Sequence, residues 1–520
     1  MLIFDTLTLG LLTLWLLSGL VGALKKTLWP TALAILALAA CATHLLVEGP
    51  RWQMGPAYVV LLVLAVLQLG AVWPPLGGRF NGAGGRTRGA ARWIAALLLV
   101  LTVVASFLFP MFRLPKPSGA YAVGTTTLHF VDPSRYELHT VEPFDRRELM
   151  AHVWYPATAA AGAKPVPYLT DPDVMAQATA GSLPLAPFFT HLGAIPTHSF
   201  QDAPISPARR TYPVVVFSHG RNAFWGQNLT LMEDLASRGY VVVAIDHVYG
   251  AGQSDLPGGR VARFVPEVYE NRGPEPHRGT PPSEADLKAI ATSLKGDEVR
   301  SAIQKLMAYS PRADAKNRYG LNIWIADQRF ILDQIESLQT GRTPSPFAGR
   351  LDLSRLGMMG MSFGGAATIA TCATDDRCKA GVSLDGFALH LTELPPRQHP
   401  FMTLNSGDYG VNLAIFGRGP SWDYWMQVRG ANHSNFTDLP MVTRLWRLAG
   451  LAGDVKGGAG PIDPGHMQAL LRAYVSAFFD KHLMGAPAPL LDGPSPDFPE
   501  VRHFTVKRPS CAATEPGCRP

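Results

Sequence analysis

The feature that most constrains the fold is a short segment near residue 360, where an apolar strand runs directly into a helix of small residues. It reads Leu356-Gly-Met-Met-Gly-Met-Ser-Phe-Gly-Gly-Ala366, with Ser362 between Gly360 and Gly364. A tight strand-to-helix turn leaves no room for Cβ atoms beside its apex, and it projects the serine hydroxyl clear of the backbone. This Gly-x-Ser-x-Gly pattern, with Met361 as its second residue, predicts a nucleophilic serine.

Apolar strands and amphipathic helices alternate on both sides of this turn. Residues 213–218 and 241–245 are apolar on both faces, and residues 228–238 between them show a helical apolar stripe. Strands buried on both faces occur in parallel sheets that helices cover on both sides. We therefore predict an α/β-hydrolase fold, with a mostly parallel central sheet. The other predicted sheet strands are 127–131, 148–155, 381–384, 401–405 and 424–429. The other predicted helices are a long amphipathic helix over 321–338 and a closing helix over 465–483.

Four apolar stretches fill the first quarter of the chain: Thr6–Leu24, Leu28–Val47, Ala57–Trp73 and Trp93–Phe112. Each is about as long as a bilayer-spanning helix and contains no Asp, Glu, Lys or Arg. A core helix would carry a polar stripe, which these stretches lack. We predict four transmembrane α-helices before the catalytic domain. A cleaved signal peptide is the alternative for the first stretch, although no basic residue precedes it.

The Lys and Arg residues of the short loops predict the orientation of these helices. The first loop carries Lys25 and Lys26 and the third carries four arginines, whereas no Lys or Arg precedes the first stretch. Loops one and three are therefore assigned to the cytoplasm. Both termini and the catalytic domain are then expected in the periplasm or exterior of an integral membrane protein. Arg113 and Lys116, just after the last stretch, argue against this orientation.

Charge limits the binding partners that we expect for this protein, and the cysteine pattern indicates the redox state of its cellular compartment. The net charge of +6 comes from scattered Lys and Arg, without a basic run that interleaves aromatics, so we expect no nucleic-acid partner. Cys41 lies in the second apolar stretch, and the others form two close pairs that could be disulfides in an oxidising compartment. Other connectivities or reduced thiols remain open. No histidine lies at zinc-ligand spacing from either pair, so we expect no zinc site. We likewise predict no other metal and no cofactor. The two pairs are Cys372 with Cys378 and Cys511 with Cys518.

Composition also predicts the domain boundaries. A membrane domain over 1–114 is followed by a Pro/Gly/Ser-rich linker over 115–124, a catalytic domain over 125–486 and a Pro-rich tail over 487–520. Residues 249–317 interrupt the strand–helix alternation with Pro, Gly and charge. Surface insertions of this kind often act as lids.

A nucleophilic serine needs a base to accept its proton and an acid to orient that base. In α/β-hydrolases these follow in the order Ser, Asp, His, each at the carboxyl end of a sheet strand. After Ser362 the next predicted strand ends at Asp385, and a later one runs into the polar loop that holds His433. Rival histidines lie soon after Asp385 or on the closing helix: His390, His399, His466 and His482.

Two backbone N–H groups should stabilise the oxyanion. One belongs to Phe363, which opens the helix after the serine. The second usually comes from the loop after an earlier strand. Ser218-His-Gly-Arg221 fits, since Gly220 lets backbone approach the substrate oxygen, and Arg221 is assigned the second N–H. His219 is expected to support the loop from behind, and the Arg221 side chain either reaches an anionic group of the substrate or is simply solvated.

Seven short segments occur in the order of a known family. They are Val215-Val-Phe-Ser-His-Gly220, Asp234-Leu-Ala-Ser-Arg-Gly-Tyr240, Gly360-Met-Ser-Phe-Gly-Gly365, Leu384-Asp-Gly386, Leu404-Asn-Ser406, His433-Ser-Asn-Phe-Thr-Asp438 and Phe479-Asp-Lys-His-Leu483. Together, over roughly residues 137–484, they resemble the plasma-type (group VII) platelet-activating factor acetylhydrolase family. The resemblance implies calcium-independent carboxylic ester hydrolysis, with a preference for short or oxidised acyl chains on phospholipids. It also implies Ser362 as nucleophile, Asp385 as orienting acid and His433 as base.

Two residues depart from the family pattern. Met361 stands where the family often has His, and Arg221 stands where it often has Leu. Both flank the acyl pocket, so the departures concern the choice of substrate rather than the chemistry. The four apolar stretches are not part of the best-known members.

The sequence thus predicts a membrane-tethered serine ester hydrolase that acts on a lipid-like ester through an acyl-enzyme. One alternative is a dienelactone-type hydrolase, a polyester hydrolase or an acyltransferase on the same fold. Another is a non-catalytic, membrane-anchored envelope protein, against which the complete Ser/Asp/His set argues.

Overall fold

The chain forms two compact units, which are described separately. A computed structural model describes residues 2–18, 28–72, 85–158, 162–180, 185–269, 280–309, 311–406, 411–445, 447–448 and 458–509. The first unit comprises Met1–Phe112 with Val442–Leu445, and the second comprises Arg113–Met441 with Trp446–Pro520.

Four apolar helices occupy the positions of the four predicted stretches. They are α1 (Ile3–Ser18), α2 (Trp29–Val47), α3 (Gly55–Val72) and α4 (Gly85–Leu108), with a 3₁₀ turn at Trp52–Met54. Among the described residues, α2 and residues 90–108 of α4 are long and apolar enough to cross a membrane. α1 and residues 52–66 are apolar but shorter, so two helices rather than the predicted four meet this criterion. The predicted end of the first stretch, 19–24, lies outside the described residues.

A ten-stranded sheet forms the centre of the second unit, in the order β12-β11-β10-β9-β8-β4-β5-β2-β1-β3, and β6 and β7 form a separate hairpin. The six strands β4, β5 and β8 to β11 run parallel, while β2 and β12 pair antiparallel with β5 and β11. The strands are β1 (Ala122–Tyr136), β2 (Arg146–Ala157), β3 (Ser199–Gln201), β4 (Tyr212–Ser218), β5 (Val241–Asp246), β6 (Gln253–Leu256), β7 (Arg260–Arg263), β8 (Leu351–Met361), β9 (Ala380–Leu384), β10 (Phe401–Ser406), β11 (Asp423–Val428) and β12 (Val501–Lys507).

The helices of the second unit connect these strands and cover the sheet. The longest, α10, contains the predicted amphipathic helix and buries Trp324, Ile331 and Ile335 in the core. The α-helices are α5 (Pro172–Ala180), α6 (Leu229–Arg238), α7 (Pro266–Tyr269), α8 (Glu284–Thr292), α9 (Gly296–Tyr309), α10 (Pro311–Thr340), α11 (Phe363–Thr374) and α13 (Pro464–Met484); α12 (Leu439–Val442) lies at the boundary between the units. The 3₁₀ turns are Ala186–Ala194, Leu389–Glu393, Val411–Ala414, His433–Phe436 and Pro489–Leu491.

The strand register brings the carboxyl ends of the parallel strands to one edge of the sheet. Ser218 at the end of β4 pairs with Ile245 of β5 and Gly360 of β8. Leu384 at the end of β9 pairs with Met361 of β8. All seven residues of β4 are buried, as expected for a strand covered on both faces. The mostly parallel α/β prediction is therefore confirmed, and the loops that carry the predicted site leave the sheet side by side.

Two predicted regions differ in detail. The segment predicted as a Pro-rich tail contains β12, which pairs antiparallel with β11 at the sheet edge. No proline lies between Pro499 and Pro509, and residues 501–506 (Val-Arg-His-Phe-Thr-Val) are rich in strand formers, so the edge of β11 gains a partner. The predicted insertion over 249–317 contains the β6–β7 hairpin, α7 to α9 and the start of α10. Its role as a lid remains a prediction.

One of the two predicted cysteine pairs lies among the described residues. Cys372, in α11, is disulfide-bonded to Cys378 just before β9, as local pairing predicts. Cys511 and Cys518 lie outside the described residues. Cys41 is a buried free thiol in α2.

Candidate active site

The turn between β8 and α11 has the sharp geometry that its glycines predict. Ser362 has φ 55° and ψ −121°, a backbone conformation that few L-residues adopt. A Cβ at Gly360 would overlap the backbone of Gly364, and a Cβ at Gly364 would overlap the carbonyl of Ser218. Met361 is buried beneath the turn. The half-buried Ser362 is thus held at the apex by close backbone packing on both sides.

Three predicted residues form one series of hydrogen-bonded side chains, the Ser362 chain. His433 Nε2 lies 2.8 Å from Ser362 Oγ, and His433 Nδ1 lies 2.6 Å from Asp385 Oδ2. The other carboxylate oxygen, Asp385 Oδ1, accepts the Ser406 N–H at 2.7 Å. A carboxylate that accepts Nδ1–H leaves Nε2 as the acceptor, which is the tautomer needed to take a proton from Ser362.

The three side chains differ in their exposure to solvent, and this difference suits a reaction with a substrate that enters from solvent. The Asp385 side chain is 1 % exposed, whereas that of His433 is 38 % exposed. The carboxylate is therefore shielded from water, while the imidazole and the half-buried serine can be reached. The rival histidines His390, His399, His466 and His482 make no described hydrogen bond to Ser362.

The His433 loop is held by its own side chains. After Gly430, with φ 76°, the chain enters the 3₁₀ turn that starts at His433. Asn435 Oδ1 accepts the N–H groups of Asn432 at 2.8 Å and Gly460 at 2.6 Å. These hydrogen bonds fix the polar loop that places His433 between Ser362 and Asp385.

The loop after β4 is fixed from two directions. His219 Nδ1 donates to the carbonyl oxygen of Gly220 at 2.7 Å, and Gln227 Oε1 accepts the Gly220 N–H at 3.0 Å. In a trans peptide the C=O and the next N–H point in opposite directions, so holding the Gly220 oxygen also fixes the direction of the Arg221 N–H. His219 is fully buried, and its hydrogen bonds join the Gly220 oxygen and the His247 N–H.

Two residues that the sequence did not reveal, Gln227 and Asn228, join this loop to the 3₁₀ turn at His433. The backbone oxygen of Gln227 accepts the Asp438 N–H at 2.8 Å, and Asn228 Nδ2 donates to the Phe436 oxygen at 2.6 Å. Both residues are buried. The available signal was a pair of amide residues directly before an apolar helix, but no spacing rule distinguished it from an ordinary helix start.

Two buried carboxyls lie under the same loops. Burial raises the pKa of Asp438 to about 7, although the Thr230 N–H lowers it in part. Burial likewise raises the pKa of Glu233 to about 7, against hydrogen bonds from Ser199 and His198. Each of these two carboxyls is therefore partly protonated at neutral pH.

One cluster of potential metal ligands occurs among the described residues, in the first unit. Ligand atoms of Asp5, His44 and Glu48 lie within 4.8 Å of one another. The guanidinium of Arg51 already pairs with Asp5 at 2.7 Å and with Glu48 at 3.1 Å. A cation in this cluster would have to displace Arg51 from both carboxylates, so the cluster suits an internal ion-pair network better than a metal site.

Comparison with known proteins agrees with this geometry. A family model described as "Platelet-activating factor acetylhydrolase, isoform II" matches residues 108–251 and 336–486. These ranges include β4 and β5, all the residues of the Ser362 chain and the closing helix.

Relatives and a solved structure match over most of the chain. A platelet-activating factor acetylhydrolase from Canis lupus familiaris is 23% identical over 384 residues, covering 71% of this chain and 77% of the relative. A probable 1-alkyl-2-acetylglycerophosphocholine esterase from Arthroderma benhamiae is 25% identical over 436 residues, covering 78% and 96%. The structure of a ferulic acid esterase from Streptomyces cinnamoneus superposes with a TM-score of 0.56 at 28% identity, covering 76% of this chain and 99% of that one.

Proposed function

Since this chain belongs to the platelet-activating factor acetylhydrolase isoform II family and is a carboxylic ester hydrolase of that type, we propose that Ser362, His433 and Asp385 perform its hydrolysis. The observation that carries the proposal is the hydrogen-bonded chain from Ser362 Oγ through His433 to Asp385, with distances of 2.8 and 2.6 Å. Its order, geometry and graded exposure are those that a serine nucleophile requires.

The first half of the reaction forms an acyl-enzyme. Ser362 Oγ attacks the carbonyl carbon of the ester while its proton passes to His433 Nε2. The Asp385 carboxylate stabilises the imidazolium, and the N–H groups of Phe363 and Arg221 donate to the oxyanion. When the intermediate collapses, His433 returns the proton to the departing alcohol oxygen.

The second half repeats these steps with water in place of serine. His433 takes a proton from water, whose oxygen attacks the acyl carbon, and the same two N–H groups stabilise the second oxyanion. Collapse of that intermediate releases the carboxylic acid and returns the proton to Ser362 Oγ. No group beyond these side chains and backbone amides is needed to balance the steps.

The substrate proposed is a glycerophospholipid or a similar ester that carries a short or oxidised acyl chain. Support comes from the names of two relatives, a platelet-activating factor acetylhydrolase and a probable 1-alkyl-2-acetylglycerophosphocholine esterase. A second candidate, a soluble aromatic ester, is favoured by the similarity to the ferulic acid esterase structure. A panel that compares kcat/KM for acetyl phospholipid and methyl ferulate distinguishes the two.

We also propose that the first unit anchors the enzyme in a membrane. Besides the two helices of sufficient length, large apolar side chains are exposed on all four helices of this unit. A helix that is apolar on every side is typical of a lipid environment. Exposed examples, one from each helix, are Leu14 at 53%, Leu36 at 54%, Leu62 at 66% and Val100 at 57%.

The proposed location of the catalytic domain is the periplasmic or exterior side. The loop arginines and lysines support this orientation, and the Cys372–Cys378 disulfide supports an oxidising compartment. Labelling of intact cells with a membrane-impermeant fluorophosphonate tests it. Labelling that appears only after lysis would place the domain in the cytoplasm.

The catalytic assignment is tested with Ser362→Ala. The folded variant should lose both ester turnover and covalent labelling by a fluorophosphonate, because each requires the serine oxygen. A variant that still labels would show that another residue is the nucleophile. Resistance of the wild-type protein to labelling would revive the non-catalytic alternative.

A further inference from the structure

The second unit contains another series of hydrogen-bonded Ser, His and Asp side chains, the Ser218 chain, which consists of Ser218, His247 and Asp327. His247 follows β5, and its Nε2 lies 3.1 Å from Ser218 Oγ at the end of β4. His247 Nδ1 lies 2.9 Å from Asp327 Oδ2 in α10. The order of groups is that of the Ser362 chain.

This second chain is closed to any substrate. Ser218, His247 and Asp327 are each 0% exposed. Gln328 Nε2 donates to Ser218 Oγ at 2.8 Å, so the serine oxygen is an acceptor there and its own proton is directed to His247 Nε2. The proton and one lone pair of the serine hydroxyl are therefore engaged inside the protein, and without exposed surface Ser218 cannot act as a second nucleophile.

His247 touches the loop that holds one oxyanion donor. Its backbone N–H donates to His219 Nε2 at 3.2 Å, and His219 Nδ1 in turn donates to the Gly220 oxygen. The same His247 ring holds the side chain of Ser218, the residue from which that loop starts. The loop is thus attached to His247 at both Ser218 and His219.

His247 is also linked to the second oxyanion donor. Its ring stacks on Trp324, with centroids 3.9 Å apart and an interplanar angle of 7°. Trp324 meets the Phe363 ring edge-on at 5.1 Å. Gln328, one helical turn beyond Trp324, reaches Thr368 of α11 at 3.3 Å. One buried imidazole therefore lies between the Gly220 loop and the start of the helix that follows Ser362.

We propose that His247, fixed by Asp327 and Ser218, is a positioning residue that holds the Arg221 and Phe363 N–H groups in register with the oxyanion. This inference rests on the proposed ester hydrolysis at Ser362 and adds a group that never contacts the substrate. It assigns to the buried chain a function in the rate of the reaction, beyond its contribution to the core.

The protonation state of His247 suits this role. Burial lowers the pKa of His247 to about 4, although Asp327 offsets the shift in part. The imidazole is therefore neutral at working pH, with Nδ1–H donating to Asp327 and Nε2 accepting from Ser218. Other charged groups facing this pocket are Arg147 and Arg135, which both bond to Asp327, while Asp246 lies 3.7 Å from His219. This fixed pattern of donors holds the loop in a single arrangement.

The test compares Ser218→Ala with Ser237→Ala. Ser237 is an equally buried serine whose hydroxyl also makes two hydrogen bonds, to Gly119 N–H and to the Asp234 oxygen in α6. The wild type is first shown to hydrolyse a 4-nitrophenyl ester and to lose this activity with Ser362→Ala, so that failure of the proposed function is seen separately. Then kcat and KM are measured for an oxoester and its thionoester, whose sulfur accepts hydrogen bonds poorly.

A positioning role predicts that Ser218→Ala lowers kcat for the oxoester about tenfold, with KM within about twofold. The ratio of oxoester to thionoester kcat/KM should fall with it, and Ser218→Thr, which keeps the hydroxyl, should recover part of the ratio. Ser237→Ala should leave the ratio unchanged. Equal ratios in Ser218→Ala, Ser237→Ala and wild type would overturn the inference. If Ser218→Ala does not fold, the same ratio in His247→Gln decides in the same way.

Discussion

The two Ser–His–Asp chains of this molecule use the same residue types in the same order, yet only one can meet an ester. In the Ser362 chain the imidazole is 38 % exposed and the serine stands on a turn with positive φ. In the Ser218 chain all three residues are fully buried, and the serine ends a regular strand. The hydrogen-bond distances are 2.8 and 2.6 Å in the first and 3.1 and 2.9 Å in the second.

The comparison teaches that hydrogen-bond order alone does not define a catalytic triad. A nucleophile also needs a free approach to its oxygen and donors that face the developing oxyanion. A substrate can approach the Ser362 oxygen because the turn projects this residue from the sheet edge. The Ser218 oxygen instead accepts a hydrogen bond from Gln328 Nε2, and its proton goes to His247. The following predictions test the contrast, from the largest expected effect to the smallest.

Asp385→Asn should lower kcat about 10⁴-fold while changing stability little. An amide can keep the bond to the Ser406 N–H, but it presents N–H rather than oxygen to His433 Nδ1. The imidazole then carries its proton on Nε2 and cannot accept the proton of Ser362. Steady-state kinetics alongside thermal unfolding check this prediction, and a kcat within tenfold of wild type would contradict it.

Asp327→Asn should instead lower the free energy of unfolding by about 3–5 kcal/mol. Burial alone would raise the pKa of Asp327, but Arg147 and His247 outweigh it and hold that pKa well below its usual range. Removing the charge leaves Arg147 and Arg135 without the carboxylate that bonds them at 2.6 and 2.9 Å. Urea unfolding at pH 7 measures the loss, with Asp385→Asn as the matched control. Similar stability of the two variants would refute the contrast between the chains.

The His247 imidazole should make stability depend on pH between about 6.5 and 4. Its pKa is about 4 in the folded protein, against about 6.5 when unfolded. Below pH 6.5 the unfolded state therefore binds a proton that the folded state does not, and stability is lost as pH falls, by up to about 3 kcal/mol at pH 4. Above pH 6.5 neither state is protonated and the effect vanishes.

Replacing this group with one that does not titrate tests the prediction. His247→Gln should lose free energy of unfolding less steeply than wild type as pH falls from 6.5 to 4. His482→Gln is the control, because burial also lowers the pKa of His482 to about 4, on the closing helix. His482→Gln should also reduce the dependence of the free energy of unfolding on pH between 6.5 and 4, without altering kcat. A His247→Gln slope equal to that of wild type would contradict the prediction.

Arg221→Leu should have the smallest effect, with kcat on a neutral ester within about twofold of wild type. The proposed donor is the backbone N–H of Arg221, which the Gly220 peptide directs, and leucine retains that N–H. The guanidinium lies 5.8 Å from the Phe363 ring, so the substitution removes a weak cation–π interaction. Kinetics with 4-nitrophenyl acetate check this, and a loss of tenfold or more would assign the side chain a direct part in catalysis.

Much of the site followed from local sequence because its geometry is local. Gly360 and Gly364 predict the turn, since only glycine fits where backbone meets backbone on either side of Ser362. Asp385 and His433 were found by strand order, since parallel strands bring their carboxyl ends to one edge. Whether these residues act as assigned stays a prediction until the variants are measured.

The sequence by itself determined the strand–helix alternation, the apolar helices and the residues that meet at the sheet edge, because these depend on periodicity and chain order. The tertiary structure alone decided the buried Ser218–His247–Asp327 chain and the strand in the tail. Asp327 and Gln328 were read as part of an amphipathic helix, but their partners lie 80 and 110 residues away. Contacts over such separations leave no periodic signal, since any residue that satisfies a buried donor or acceptor can occupy the position.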